Sequence, residues 1–199
     1  MTKRRQWKLI KGIRAKPSTK QHDMRNTFFK LWVHGIIKIE PEHALIYPEL
    51  EPLLYLEIEK RFIEQGCEIS AIGGREDHIH FLFAQNPLLS LHETMRFIQG
   101  ISERWYQLRD FKSGYFRFQW EEGYCAYSVS ESNLDKVRLF IDNQAEIHQK
   151  MFLKEEIHYL NHLHNVDLRD EEIEVEIMQW AKTWGARFAF NQIGSEWIR

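Results

Sequence analysis

The run Asp77-His78-Ile79-His80-Phe81-Leu82-Phe83-Ala84 sets two histidines one residue apart inside an apolar stretch. On an extended strand successive side chains alternate between faces. His78 and His80 therefore share one face, roughly 7 Å apart, and Ile79 and Phe81 share the other. Neutral imidazole is the commonest nitrogen ligand for divalent metals, so such a pair can converge on one ion when a third donor arrives from elsewhere. Two hydrogen-bonded histidines on a solvated sheet face account for the same pattern. Several chemistries use a histidine pair, and neighbouring residues narrow them. A histidine-triad nucleotide hydrolase requires a third histidine where Leu82 stands, and a twofold-repeated phosphoesterase requires a pair of His-x-Ser/Thr motifs that the chain lacks. A cupin requires an all-β chain, which the long helical periodicities exclude.

The elements that must position these histidines follow from periodicity and punctuation. Residues 28–40 (FFKLWVHGIIKIE) are aromatic and β-branched and end at Pro41, which predicts a first strand. Residues 53–65 carry apolar side chains at helical spacing and stop at Gly66. Residues 67–74 alternate as a short strand into Gly73-Gly74, and the histidine strand follows. A second helix is predicted over 91–108, an extended aromatic region over 115–130, and a third helix over 132–151 with Ser132 and Asp135 as its capping box. Helical segments over about 153–164 and 170–184 complete the series. The order β-α-β-β-α-β followed by helices predicts an α+β fold, a ferredoxin-like antiparallel sheet with helices packed on one face and a C-terminal helical extension. The expected organisation is an N-terminal basic arm over 1–27, a main domain over 28–152 and the extension over 153–199.

Charge along the chain is uneven although the formal net charge is only -2. Residues 1–30 hold ten Lys or Arg against one acid, Asp23, whereas residues 145–199 hold six bases and ten acids. The basic arm, with Lys3, Arg4, Arg5, Lys8, Lys11 and Arg14, suits phosphate contact, and Trp7 can stack on a base. A solvated tail fits the same composition. Cys67 and Cys125 lack any CxxC spacing and are expected to stay reduced. No apolar run reaches the roughly 18 residues that a membrane span needs, and no apolar segment of a signal peptide follows the first charges, so a cytoplasmic protein is expected.

Beyond the histidine strand, the order of several motifs resembles one family. IGGREDHIHFLFA is similar to the GG-x-x-DHxH-apolar signature of the HUH single-tyrosine transposases, among them the transposase-like proteins associated with repetitive extragenic palindromes. VHGIIKIE resembles their first strand, LSLHETMRFIQGISERW the helix after the histidines, and FQWEEGYCAYSVSESNLDKVRLFIDNQAEIH their W-x-x-GY-x-AFSVS segment leading into Y-I-x-N-Q-x-x-x-H. The resemblance runs over most of residues 28–164. It implies an HUH endonuclease type of fold, with Mg²⁺ or Mn²⁺ held by His78, His80 and Gln144, and Asn143 beside them. It also implies a tyrosine nucleophile four residues before that glutamine, at the position of Phe140.

Residues four apart on a helix share a face, so position 140 is expected above position 144. The reaction implied is attack of a tyrosine oxygen on a phosphodiester of single-stranded DNA, leaving a 5′-phosphotyrosine link and a free 3′-hydroxyl. Phenylalanine keeps the ring and loses the oxygen. Either a deliberate substitution or a natural loss of nicking explains it, and a plain core Phe explains it if the resemblance is set aside. Tyr106, Tyr115, Tyr124 and Tyr127 are the other tyrosines near in sequence and are read as packing residues.

The partner implied by the resemblance is single-stranded DNA folded into hairpins, bound by a homodimer, with no membrane. Arg75, Arg96 and Arg104 are further candidates for phosphate contact, the last two eight residues apart on one predicted helix. His148, four residues past Gln144, is expected beside the ion or on the polar surface rather than among the ligands. A hairpin-DNA-binding protein without catalysis, and a metal-dependent hydrolase of small phosphoesters, are the alternatives.

Overall fold

The computed structural model describes residues 28–41, 43, 45–110, 117–149 and 151–166. The basic arm, Tyr115 and the helix expected over 170–184 lie outside the described residues. Four strands form one antiparallel sheet in the order β2-β3-β1-β4, with β1 at Trp32–Lys38, β2 at Glu68–Arg75, β3 at His78–Ala84 and β4 at Cys125–Val129. Among the described residues five α-helices accompany it: α1 at Glu51–Glu64, α2 at Leu91–Gln107, α3 at Leu134–Asp142, α4 at Gln144–Ile147 and α5 at Leu153–Leu163.

The first two helices build the larger core on one sheet face, as expected. Leu54, Ile58 and Phe62 of α1 and Met95 and Ile98 of α2 bury against Ile37, Ile79, Phe81 and Phe83. α1 begins with a proline in its first turn, where a missing N–H leaves no helical bond unmade. It ends before Gly66, whose φ of 70° is the left-handed conformation that glycine takes most readily at a helix end. Ser90 and Glu93 form a reciprocal capping box at the start of α2: the Glu93 N–H donates to Ser90 Oγ, and the Ser90 N–H donates to Glu93 Oε2.

The opposite face is also covered, by the C-terminal helices. Leu134, Val137 and Ile141 of α3 pack on Trp32, Ala71, Leu82 and Ala84, and Leu160 of α5 packs on Ile36 and Tyr127. The sheet is thus sandwiched, where helices on one face alone were expected. Because Leu153–Leu163 lies past residue 152, the element assigned to the extension takes part in covering the sheet.

Some boundaries differ from expectation for physical reasons. The first strand pairs only from Trp32, with an isolated bridge at Ile39 to Trp120. Of the described part of the aromatic region, residues 117–130, only Cys125–Val129 is strand. Phe118 and Trp120 are buried in the core instead, and the Trp120 indole N–H donates to Ser102 Oγ. The Ser132–Asp135 capping box is not formed. Residues 131–133 make a short 3₁₀ turn, Ser132 Oγ bonds to Ser130 Oγ, and the Asp135 carboxylate accepts from Arg138, whose guanidinium also donates to Ser70. The third helix is not continuous. It breaks at Asn143, whose φ of -104° and ψ of 15° end α3, and α4 starts at Gln144.

One close approach seats α3. An ideal Cβ at Gly73 would lie 2.5 Å from the backbone oxygen of Ile141, so only glycine lets the end of α3 rest directly on β2. Gly73 is also the registered partner of His80, which ties this approach to the histidine strand. Replacing Gly73 with Ala is expected to destabilise the fold by about 1–3 kcal/mol, the usual range for overpacking. Urea unfolding measures it, and an unchanged midpoint would show that α3 does not depend on this contact.

Candidate metal centre

Register fixes which residues meet. Opposite His80 on β1 stands Ile36, opposite Leu82 stands His34, and opposite His34 on β4 stands Tyr127. Alternation along each strand therefore puts His34, His78 and His80 on the face covered by α3 and α5. All three are buried, and His78 and His80 have no exposed surface at all. Gln144 at the start of α4, His148 just after it and Glu156 on α5 reach the same place, with Gln144 and Glu156 also buried. One ligand atom each from His78, His80, His148 and Glu156 lies within 4.8 Å of every other. The rings crowd accordingly, with centroids 5.0 Å apart for His78 and His80 and 4.5 Å for His78 and His148.

Hydrogen bonds orient these donors. His78 Nδ1 is 2.6 Å from Asp77 Oδ1. Since a carboxylate only accepts, the imidazole proton belongs on Nδ1, and Nε2 carries the lone pair. Burial raises the Asp77 carboxyl pKa, but its bond to His78 and the attraction of that ring outweigh this and hold it below the ordinary value. Nε2 of His78 then faces Gln144 Oε1 at 3.4 Å. The Gln144 amide is itself fixed, because its Nε2 donates to Glu156 Oε1 at 3.0 Å. Two acceptors thus point at one another, which a cation between them reconciles.

His80 is held from its other side. Its Nδ1 lies 2.9 Å from His34 Nε2, so the two rings share one proton. Burial, with a smaller contribution from His164, pushes the His34 pKa down to about 3. Burial, then His78, His34 and His148, pushes His80 well below the usual histidine range. Both rings are neutral near pH 7. When His80 donates from Nδ1, its Nε2 is a free acceptor aimed into the cluster. His34, like Glu156, is a residue that sequence reasoning passed over. Its signal was a histidine at an inward position of the first strand, legible only once the register with β3 is known.

Three buried atoms facing the cluster have no hydrogen-bond partner: His80 Nε2, His148 Nε2 and Glu156 Oε2. His148 Nε2 and Glu156 Oε2 are only 2.7 Å apart, and His80 Nε2 is 3.5 Å from Glu156 Oε1, but neither contact is a hydrogen bond. Buried polar groups left without such bonds are costly, and buried carboxylates are ordinarily paired or bound to a metal. The residues present therefore fit a divalent cation.

Phe140 stands over this cluster, half-buried, with its ring centroid 6.0 Å from that of His34 and 6.1 Å from that of His80. The helix break at Asn143 does not carry it away. The other described tyrosines near in sequence are hydrogen-bonded or packed, Tyr127 among them although its ring centroid lies 6.1 Å from that of His34. The Tyr127 hydroxyl donates to Asn161 Oδ1, and burial raises its pKa. Tyr106 lies in the core of the other face, accepts from the Tyr47 N–H, donates to the Leu45 carbonyl, and is pushed up to about 12 by burial. Tyr124 also packs against that core.

Of the three arginines singled out, only Arg75 is near the cluster, on the β2–β3 turn beside Glu76. Arg96 and Arg104 are exposed on α2, which packs on the other face of the sheet, and Arg96 donates to the Glu122 carbonyl. The structure does not bring them to the histidines. Among the described residues, no helix is long and apolar enough to cross a membrane.

Comparison with known proteins bears on the same segment. Among solved structures, a presumed transposase from Deinococcus radiodurans is 22% identical with a TM-score of 0.49, and the match covers 63% of this chain and 98% of that one. A REP-associated tyrosine transposase bound to a REP hairpin is 12% identical with a TM-score of 0.47, covering 64% and 74% respectively. No curated protein matches. The family model described as "Transposase IS200 like" matches residues 27–144, which run from the first strand through the histidine pair to Gln144 and make up more than half of the sequence. The chain belongs to the IS200-like transposase family.

Proposed function

We propose that this chain is a transposase-type domain that takes single-stranded, hairpin-bearing DNA and, with Phe140 in place of the attacking tyrosine, binds it without nicking. The observation that carries this reading is the position of the Phe140 ring, beside His34 and His80 and next to the buried donors. A hydroxyl on that ring would sit beside the cluster, whereas the Tyr127 hydroxyl, on a ring 6.1 Å from that of His34, is bonded to Asn161. Family membership supports a DNA-processing ancestry, and the motif order supports the single-strand, hairpin and homodimer parts of the reading.

In the reaction for which such a site is suited, the tyrosine oxygen attacks phosphorus. The new P–O bond forms as the bond to the 3′-oxygen breaks, the phenolic proton departs, and a 3′-hydroxyl leaves. A divalent cation held by His78, His80 and Gln144 would polarise the scissile phosphate and stabilise the charge that builds on it. Asp77 and His34 fix the ring orientations of the two histidines. Without an oxygen at 140 no covalent link can form, but the buried donors that would hold the cation are still in place. A natural DNA-binding protein that has given up nicking is the form of this reading in which Phe140 is native.

Two experiments test it. On a labelled DNA hairpin with a single-stranded flank and Mn²⁺, the chain as it stands is expected to bind but to give no covalent adduct on a denaturing gel, while Phe140→Tyr gives one. That adduct should vanish again when His78 and His80 are both replaced by Ala. A tyrosine form that binds hairpins without an adduct would remove position 140 from the chemistry, and no hairpin binding by either form would remove the DNA reading. In the second, deletion of residues 1–16 is expected to weaken binding and flatten its dependence on salt by roughly 0.7 in log–log slope for each phosphate that the arm neutralises. An unchanged slope would make the arm a solvated tail.

A further inference from the structure

We infer that His148 and Glu156 are metal ligands together with His78 and His80, and that this set of three imidazoles and one carboxylate selects a transition metal of the Zn²⁺, Co²⁺ or Mn²⁺ class against Mg²⁺. The inference rests on the reading of this cluster as a metal centre and deepens it, but it does not depend on which nucleic acid the chain takes. Motif order alone implied two histidines and a glutamine, with His148 outside the set. The geometry assigns more donors and divides their work.

Glu156 uses its two oxygens differently. Oε1 accepts from the Gln144 amide, while Oε2 has no hydrogen-bond partner and lies among the imidazole nitrogens. Gln144 is thereby turned so that its Oε1 faces His78 Nε2, which makes it an orienting residue or an additional oxygen donor. His148 presents Nε2 in the same way, without a hydrogen bond although it lies at ion-pair distance, 2.7 Å, from Glu156 Oε2. Four donors within 4.8 Å of one another can be gathered by one ion with bonds of about 2.0–2.2 Å after small rotations of the rings. The chemistry of the set decides the class of ion. Mg²⁺ prefers six oxygens at near-octahedral positions and keeps several waters, whereas this cluster is nitrogen-rich and buried. Imidazole donors favour the later divalent metals.

The full-length chain, stripped with a chelator and dialysed, tests this with Co²⁺ as the probe. One equivalent of Co²⁺ is expected to give the intense visible absorption of a four- or five-coordinate site. Zn²⁺ should abolish it stoichiometrically, and a thousandfold excess of Mg²⁺ should leave it in place. His148→Ala and Glu156→Gln are each expected to weaken Co²⁺ binding by roughly 100-fold or more, beyond what removal of a residue behind the ligands brings. If Glu156→Gln fails to fold, as circular dichroism would show, the His148→Ala result alone decides. Binding that Mg²⁺ displaces, or that neither substitution weakens, overturns the inference while leaving a metal centre of another composition. Absence of Co²⁺, Zn²⁺, Mn²⁺ and Mg²⁺ binding alike would instead remove the metal centre itself.

Discussion

A carboxylate with no exposed surface, Glu156, sits among His80, His148 and Gln144, and its contacts there are imidazoles and an amide. Burial of an uncompensated carboxylate is among the least favourable arrangements a protein interior can hold. Much of the histidine face follows from meeting that demand. The amide of Gln144 supplies one hydrogen bond, the rings of His80 and His148 come close without completing others, and α5 is tethered to a sheet face that it touches through few apolar residues. Asp77 and His34, behind the two strand histidines, draw the ring N–H groups outward, so the lone pairs face inward, an arrangement that a cation among them would compensate.

The two faces of the sheet make a physical contrast. One is an ordinary hydrophobic core, continuous from Leu54 to Phe83 and closed by Met95 and Ile98. The other divides into two small apolar clusters with the polar site between them. Gly73 matters here because it removes the one Cβ that would lift α3 away from β2, and with α3 goes the ring of Phe140. Replacement of tyrosine by phenylalanine at such a position changes almost nothing in shape. The Phe140 ring fills the space beside His34.

Elements with strong local signals are legible in the sequence. Helices α1 and α2, the β2–β3 hairpin and the shared face of His78 and His80 follow from period and turn residues alone, because each is decided within a dozen residues. Periodicity makes the third helix too long because the break at Asn143 carries neither Gly nor Pro. Asn143 ends α3 through its backbone angles, and Gln144 restarts the helix in response to tertiary bonds. His34, His148 and Glu156 are harder still. A histidine in a strand or an acid in an amphipathic helix has no local mark of function, and only the pairing of β1 with β3 and the docking of α5 bring the three within reach of His80. Arg96 and Arg104 show the converse limit: sequence places them on one helix face, but it does not say on which side of the sheet that helix lies.

The chain positions of the cluster, 34, 78, 80, 144, 148 and 156, have a consequence for the order of assembly. The hydrophobic half of the sheet needs nothing beyond Tyr124, whereas the polar half needs contacts such as His34 with Phe140 and Ile36 with Leu160 that span more than a hundred residues, which are the slowest kind to form. During synthesis the first three strands and two helices can collapse while the C-terminal donors have yet to be made. Coordination by the complete cluster is then possible only for a chain translated through α5 and correctly docked, so an ion bound by all its donors marks a finished molecule and ignores a nascent one.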